Sequence, residues 1–187
     1  MAYIRVLVVV ACVASTLVSE ISTNKCDPKV IQCIKDVNGG KSPANLLTSL
    51  NMLWNKYYSI CLYSEAIVKK QPVTCITTKF SMLSSIDKYI DKYCKTMKEV
   101  KYKTQFVRSE GAFSILGYEG VDYKAYPIHI GKFCITLYVC SPAGADESHS
   151  TIYCLSSNFD KKEIEEGKAK LAKCNIDDVI PMCQQKC

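Results

Sequence analysis

The chain has 187 residues, 24 basic and 18 acidic side chains for a net charge of +6, and twelve cysteines. That charge makes only a modest electrostatic case for an anionic partner. The cysteine density excludes an ordinary cytosolic protein and points to an oxidising compartment.

Residues 1–19 read as a secretory signal peptide. Met1 to Arg5 form a short basic n-region, Val6 to Val18 are almost uninterruptedly apolar, and Ala14, Ser15 and Ser19 offer small residues for a cut after Ala14 or Ser19. Thirteen apolar residues fall short of the roughly 20 that a helix needs to cross a bilayer, and no later stretch comes closer. The expectation is a secreted, extracellular protein without a transmembrane span. Beyond Ser19, 23 basic and 18 acidic residues leave a net charge of +5. The remaining length can bury a real core as one unit. Residues 20–100 read as a helical, disulfide-bonded first half, and residues 101–187 as a second half with short strands and C-terminal helices.

In chain order, Asp27 and Pro28 give an N-cap and first helical position, with Val30, Cys33, Ile34 and Val37 on one face and Asn38-Gly39-Gly40 as the stop. Ser42-Pro43 repeats the start signal. Leu46, Leu50, Leu53, Trp54, Tyr57 and Cys61 then predict a helix ending near Pro72. Phe80, Leu83, Ile90, Cys94 and Met97 predict a third helix opening at Thr77 or Thr78. Val100 to Phe106 alternates at period two and reads as a strand. The glycine-punctuated segment from Gly111 to Gly120 reads as a loop. Ile128 to Val139 alternates again, Pro142 to Ser150 reads as a polar turn region, and Thr151 to Leu155 as a partner strand. A last helix spans about Asp160 to Lys173, with a short one near Asp177. The fold expected is mainly α and disulfide-rich, with a small antiparallel β element in the middle.

An internal two-fold repeat adds to that reading. Cys61, Cys75 and Cys94 are separated by 13 and 18 residues, and Cys140, Cys154 and Cys174 by 13 and 19. Cys75-Ile-Thr-Thr-Lys-Phe80 matches Cys154-Leu-Ser-Ser-Asn-Phe159 in kind, as if each opened a helix with a hydroxyl cap and a phenylalanine anchor. An intact helix would hold Cys75 about 25 Å from Cys94, against the 5–6 Å a disulfide needs. On that reading Cys75 cannot pair with Cys94, nor Cys154 with Cys174. Eleven cysteines follow the leader: Cys26, Cys33, Cys61, Cys75, Cys94, Cys134, Cys140, Cys154, Cys174, Cys183 and Cys187. They read as a disulfide framework with one odd member. Terminal Cys187 is a candidate for linking two copies into a homodimer, and a quiet buried thiol is the alternative.

No catalytic, cofactor or metal constellation stands out. His129 precedes Cys134 by five residues, a weak Cys–His pairing that oxidation of the cysteine would remove. His149 sits in the polar turn region. Asp160, Glu163, Glu165 and Glu166 read as solvated carboxylates complementing a helix N-terminus, and Asp177-Asp178 likewise. Lysine interleaved with tyrosine in Lys56-Tyr57-Tyr58, Lys88-Tyr89, Lys92-Tyr93, Lys101-Tyr102-Lys103 and Tyr123-Lys124 reads either as an anionic-partner surface or as core tyrosines flanked by solvated lysines. The function expected is a non-enzymatic extracellular interaction protein: a defence, venom, haemolymph or secretion component that recognises a protein or an anionic surface. A secreted hydrolase without a local motif, or a basic membrane-active protein, are the alternatives.

Overall fold

A computed structural model describes residues 26–39, 55–70, 73–81 and 84–183, excluding the side chains of residues 145 and 146. The leader, the helix start at Ser42-Pro43 and Cys187 lie outside the described residues. The strands are β1 (Tyr57–Ser64), β2 (Cys75–Lys79), β3 (Ser85–Ile90), β4 (Thr96–Val107), β5 (Ala112–Tyr118), β6 (Val121–Ile130), β7 (Cys134–Ser141) and β8 (Gly144–Leu155). Each pairs antiparallel with the next, and β1 pairs with both β2 and β8, so the sheet closes on itself as an eight-stranded barrel. A short β9 (Val179–Pro181) pairs with Leu62–Ser64 of β1, beyond the stretch at which β1 meets β2. Among the described residues the helices are α1 (Pro28–Val37), a single turn α2 (Glu65–Val68), and α3 (Lys161–Lys173).

The mainly α expectation is therefore wrong, and the reasons are physical. From Tyr58 to Ser64 every residue of β1 is buried, and β7 is buried throughout. One face of these strands fills the barrel and the other lies under helices, so their alternation is erased and a short apolar run mimics a helix face. The predicted helix from Thr77 is in fact β2 and β3. There the inward phase is Ser85, Asp87 and Tyr89 while Ile86 and Ile90 point outward, which inverts the usual hydrophobic alternation. The 111–120 segment is also a strand. Glu119 and Gly120 adopt φ of 52° and 82°, the positive pair that a two-residue hairpin between β5 and β6 needs. The polar stretch after Pro142 is mostly β8, and the short helix near Asp177 is the extended lead into β9.

The internal repeat falls with the helices. Cys75–Lys79 is a strand followed by another strand, whereas Cys154 is the penultimate residue of β8, which precedes α3. The two cysteine-led segments are not equivalent. By contrast α1 and α3 form where predicted. Asp27 accepts from Lys29 N with Pro28 at the first turn, and Asp160 accepts from Glu163 N. Both helices pack on the outside of the barrel, where Ile34, Ile128, Tyr138, Ile152 and Leu171 form one apolar cluster.

Disulfides bind this outer layer. Cys26–Cys140 ties the start of α1 to β7, Cys33–Cys174 ties α1 to the end of α3, and Cys134–Cys154 bridges β7 and β8. Cys75–Cys183 fastens the segment after β9 to β2. Cys94 is disulfide-bonded as well. Cys61 is the free thiol among the described residues; it is buried, and desolvation pushes its pKa up to about 12. The odd cysteine found there is thus an inert interior thiol, unsuited to linking two copies.

Candidate functional site

Because side chains alternate along each strand, the lysine–tyrosine pairs divide cleanly. Tyr58, Tyr89 and Tyr102 are buried in the barrel, and Tyr123 lines its interior cavity. Their neighbours point outward, and Lys88 meets Glu99 at 3.0 Å there. Tyr57 and Tyr93 remain exposed. The interleaved pattern is mostly a barrel interior seen in sequence, not a basic face.

The interior has two connected levels. At the end bounded by the β2–β3, β4–β5 and β6–β7 turns lies an apolar floor of about 50 Å³, lined by Phe80, Phe113, Ala125, Ile135 and Leu137. Above it opens a chamber of about 300 Å³ that reaches the β1–β2, β5–β6 and β7–β8 connections. Tyr102, Ile115, Val139 and Tyr153 line both and form the neck between them.

The chamber is a box of tyrosines around the buried carboxylate of Asp87. Tyr63, Tyr89, Tyr118 and Tyr123 join Tyr102 and Tyr153 on its walls. The Tyr102 and Tyr118 rings meet edge to face at 5.1 Å, and Tyr118 and Tyr123 at 6.0 Å. Asp87 Oδ1 accepts hydrogen bonds from Thr78 Oγ1 at 2.7 Å and Tyr102 Oη at 2.9 Å. The Tyr118 hydroxyl pairs with that of Tyr89. Burial pushes the Asp87 pKa up to about 6, with the hydroxyl donors pulling the other way. Burial likewise raises Tyr89 to about 12 and Tyr102, Tyr118 and Tyr153 beyond the ordinary phenol range, so these hydroxyls stay protonated.

Of the two histidines, His149 departs from expectation. His149 belongs to β8 and not to a solvated turn. Its ring stands edge to face with Tyr63 at 5.3 Å, and desolvation lowers its pKa to about 4, leaving it neutral. His129 lies on the outer wall with Nε2 3.5 Å from Glu166. Cys134 is locked to Cys154 and cannot serve as a nucleophile beside it. Glu163 is not a merely solvated helix carboxylate, since it accepts from the Lys132, Phe133 and Cys134 amides at 2.7–2.9 Å and holds the β6–β7 turn against α3. Asp178 accepts from Ser64 Oγ rather than facing a metal. The sequence reading missed Asp87 entirely; the signal was a lone acid at an inward position between Ser85 and Tyr89.

An eight-stranded, up-and-down antiparallel barrel with helices on its flank and an open interior is a lipocalin-like fold. No family model matches the sequence, and no curated relative is found. Solved structures do match. Lobster apocrustacyanin A1 superposes with a TM-score of 0.59 at 14% identity, covering 80% of this chain and 87% of that one. The cockroach allergen Per a 4 gives 0.57 at 12%, covering 74% and 89%. The siderocalin Ex-FABP gives 0.52 at 9%, covering 70% and 94%, and is described as functioning through dual ligand specificities. At these identities the likeness is one of fold.

Proposed function

We propose that the chain is a secreted, non-enzymatic binding protein that carries a small molecule inside its barrel. The observation that carries this is the open chamber of about 300 Å³ above an apolar floor, at the lower end of the volumes that hold small ligands. The chamber walls are aromatic, with a few fixed polar groups, which is the composition expected of a ligand site. The ligand binding described for Ex-FABP, on the same architecture, supports the reading. Several disulfides fit an extracellular setting.

Binding of the uncharged fluorescent probe N-phenyl-1-naphthylamine to the secreted chain tests the reading. Val139 lines both levels, so Val139→Phe should block the interior. Probe emission should rise and saturate on the parent protein. It should fall at least tenfold in affinity on the filled variant, provided the variant melts cooperatively. Equal binding by parent and filled protein would remove the barrel as the site.

A further inference from the structure

We infer that the chamber is built for a small organic cation, an arylalkyl or short alkyl amine, whose ammonium group sits at Asp87 and whose apolar body lies among the tyrosine rings. This rests on the reading that the barrel interior is a binding site, and it adds the ligand's charge and size.

The central observation is a buried acid without a counter-ion. Asp87 is 4% exposed, and its hydrogen-bond partners are the hydroxyls of Thr78 and Tyr102. It forms no ion pair among the described residues. Hydroxyls share the charge but do not cancel it, and a buried carboxylate left so is costly unless a cation arrives. The hydrogen bonds from Thr78 and Tyr102 both go to Oδ1.

The rest of the chamber agrees in sign and shape. Glu147 also lines it, as does Glu119, whose charge is paired with Lys98; the lining carries one lysine, Lys70, and the imidazole of His149 is neutral. An anionic ligand would meet this field as a like charge, whereas a cation is drawn inward. Tyrosine faces attract an ammonium through their quadrupoles and pack against an aryl or alkyl body. The floor beneath the neck offers only about 50 Å³, too little for a long acyl chain below Asp87. Size below the neck and charge around Asp87 both act against a fatty acid.

Titration calorimetry of the full secreted chain at pH 7.5 tests this with 2-phenylethylamine, 2-phenylethanol and 3-phenylpropanoate, which share a phenyl group and a short alkyl chain and differ in the charge of the terminal group. The amine should bind at least tenfold more tightly than the alcohol, and the carboxylate more weakly than both. Asp87→Asn, which keeps the side-chain shape, should cost the amine at least tenfold while leaving the alcohol within about twofold. Amine and alcohol affinities within threefold of each other on the parent protein would overturn the inference, and that comparison needs no variant to fold. An unchanged amine preference in a folded Asp87→Asn protein would overturn it as well. In either case saturable binding of N-phenyl-1-naphthylamine keeps the barrel as a binding site, while loss of that binding too removes the broader reading.

Discussion

Along β7, Cys134, Tyr138 and Cys140 face the flanking helices, while Ile135, Leu137 and Val139 face the barrel interior. The two faces of this sheet are built to different ends. The outer wall is dry, apolar and cross-linked, with three of the described disulfides converging on it. The chamber near the mouth holds a carboxylate without a counter-ion and a layer of phenols among its aliphatic side chains. A protein selected only for stability would fill that space with leucine. Stability is concentrated on one side of the strands and surrendered on the other, the pattern expected where a site must stay open and polar.

The largest way to break the contrast is to cut the outer wall. Replacing Cys33 and Cys174 together by alanine frees α1 from α3 across a separation of 141 residues. Thermal unfolding should show a loss of roughly 2–5 kcal/mol, with the affinity of the chamber for a probe unchanged in the protein that remains folded.

Asp87→Asn probes the opposite side. The acid's pKa rises on folding from 3.8 to about 6, so the folded state binds more protons than the unfolded one between those values. Stability from this group is full below pH 4 and falls as pH climbs through 6. The amide should therefore raise stability at pH 7.5 by up to about 3 kcal/mol and change little at pH 3.5. Denaturant midpoints at the two pH values give the answer, and a destabilised amide at pH 7.5 would mean that the charge is well compensated.

Gly167 tests how tightly the outer wall is packed. A Cβ there would fall on Thr136 Oγ1 and within 3.2 Å of Ile152 Cδ1. Alanine is the better helix former by about 1 kcal/mol, yet Gly167→Ala should lower stability by roughly 1–3 kcal/mol through overpacking. A stabilised variant would show that α3 can lift off the sheet freely.

The smallest effect is expected from Tyr58→Phe. The Tyr58 hydroxyl is fully buried and lacks a hydrogen-bond partner among the described residues. Removing it relieves a desolvated group, so stability should hold or rise by no more than about 1 kcal/mol. A clear loss on chemical denaturation would reveal a partner for that hydroxyl.

What the sequence revealed follows the same division between faces. Helices on the outside obey local rules: Asp27-Pro28 and Asp160 are capping signals readable without any neighbour. β4 was legible because Val100 and Tyr102 point inward and Lys101 and Lys103 point to solvent. β1 and β7 were not, because burial on both faces removes the alternation that marks a strand. β3 hid for another reason. Its inward residues serve a polar chamber, so Asp87 and Ser85 stand where a core strand would carry valine. The spacing of Cys61, Cys75 and Cys94 imitated a repeat although these residues lie on different strands and turns.

β9 has a role of its own at the seam. β1 pairs with β2 only through Tyr57–Ser59 and then diverges, which would leave Leu62 to Ser64 with unmatched backbone groups. Val179–Pro181 covers that stretch, and Cys75–Cys183 anchors the cover to the opposite side of the gap. An uncovered strand margin of this kind is a template for strand addition from another molecule. A chain ending before Val179 is expected to lose solubility and form sheet-linked aggregates, even where each barrel stays folded.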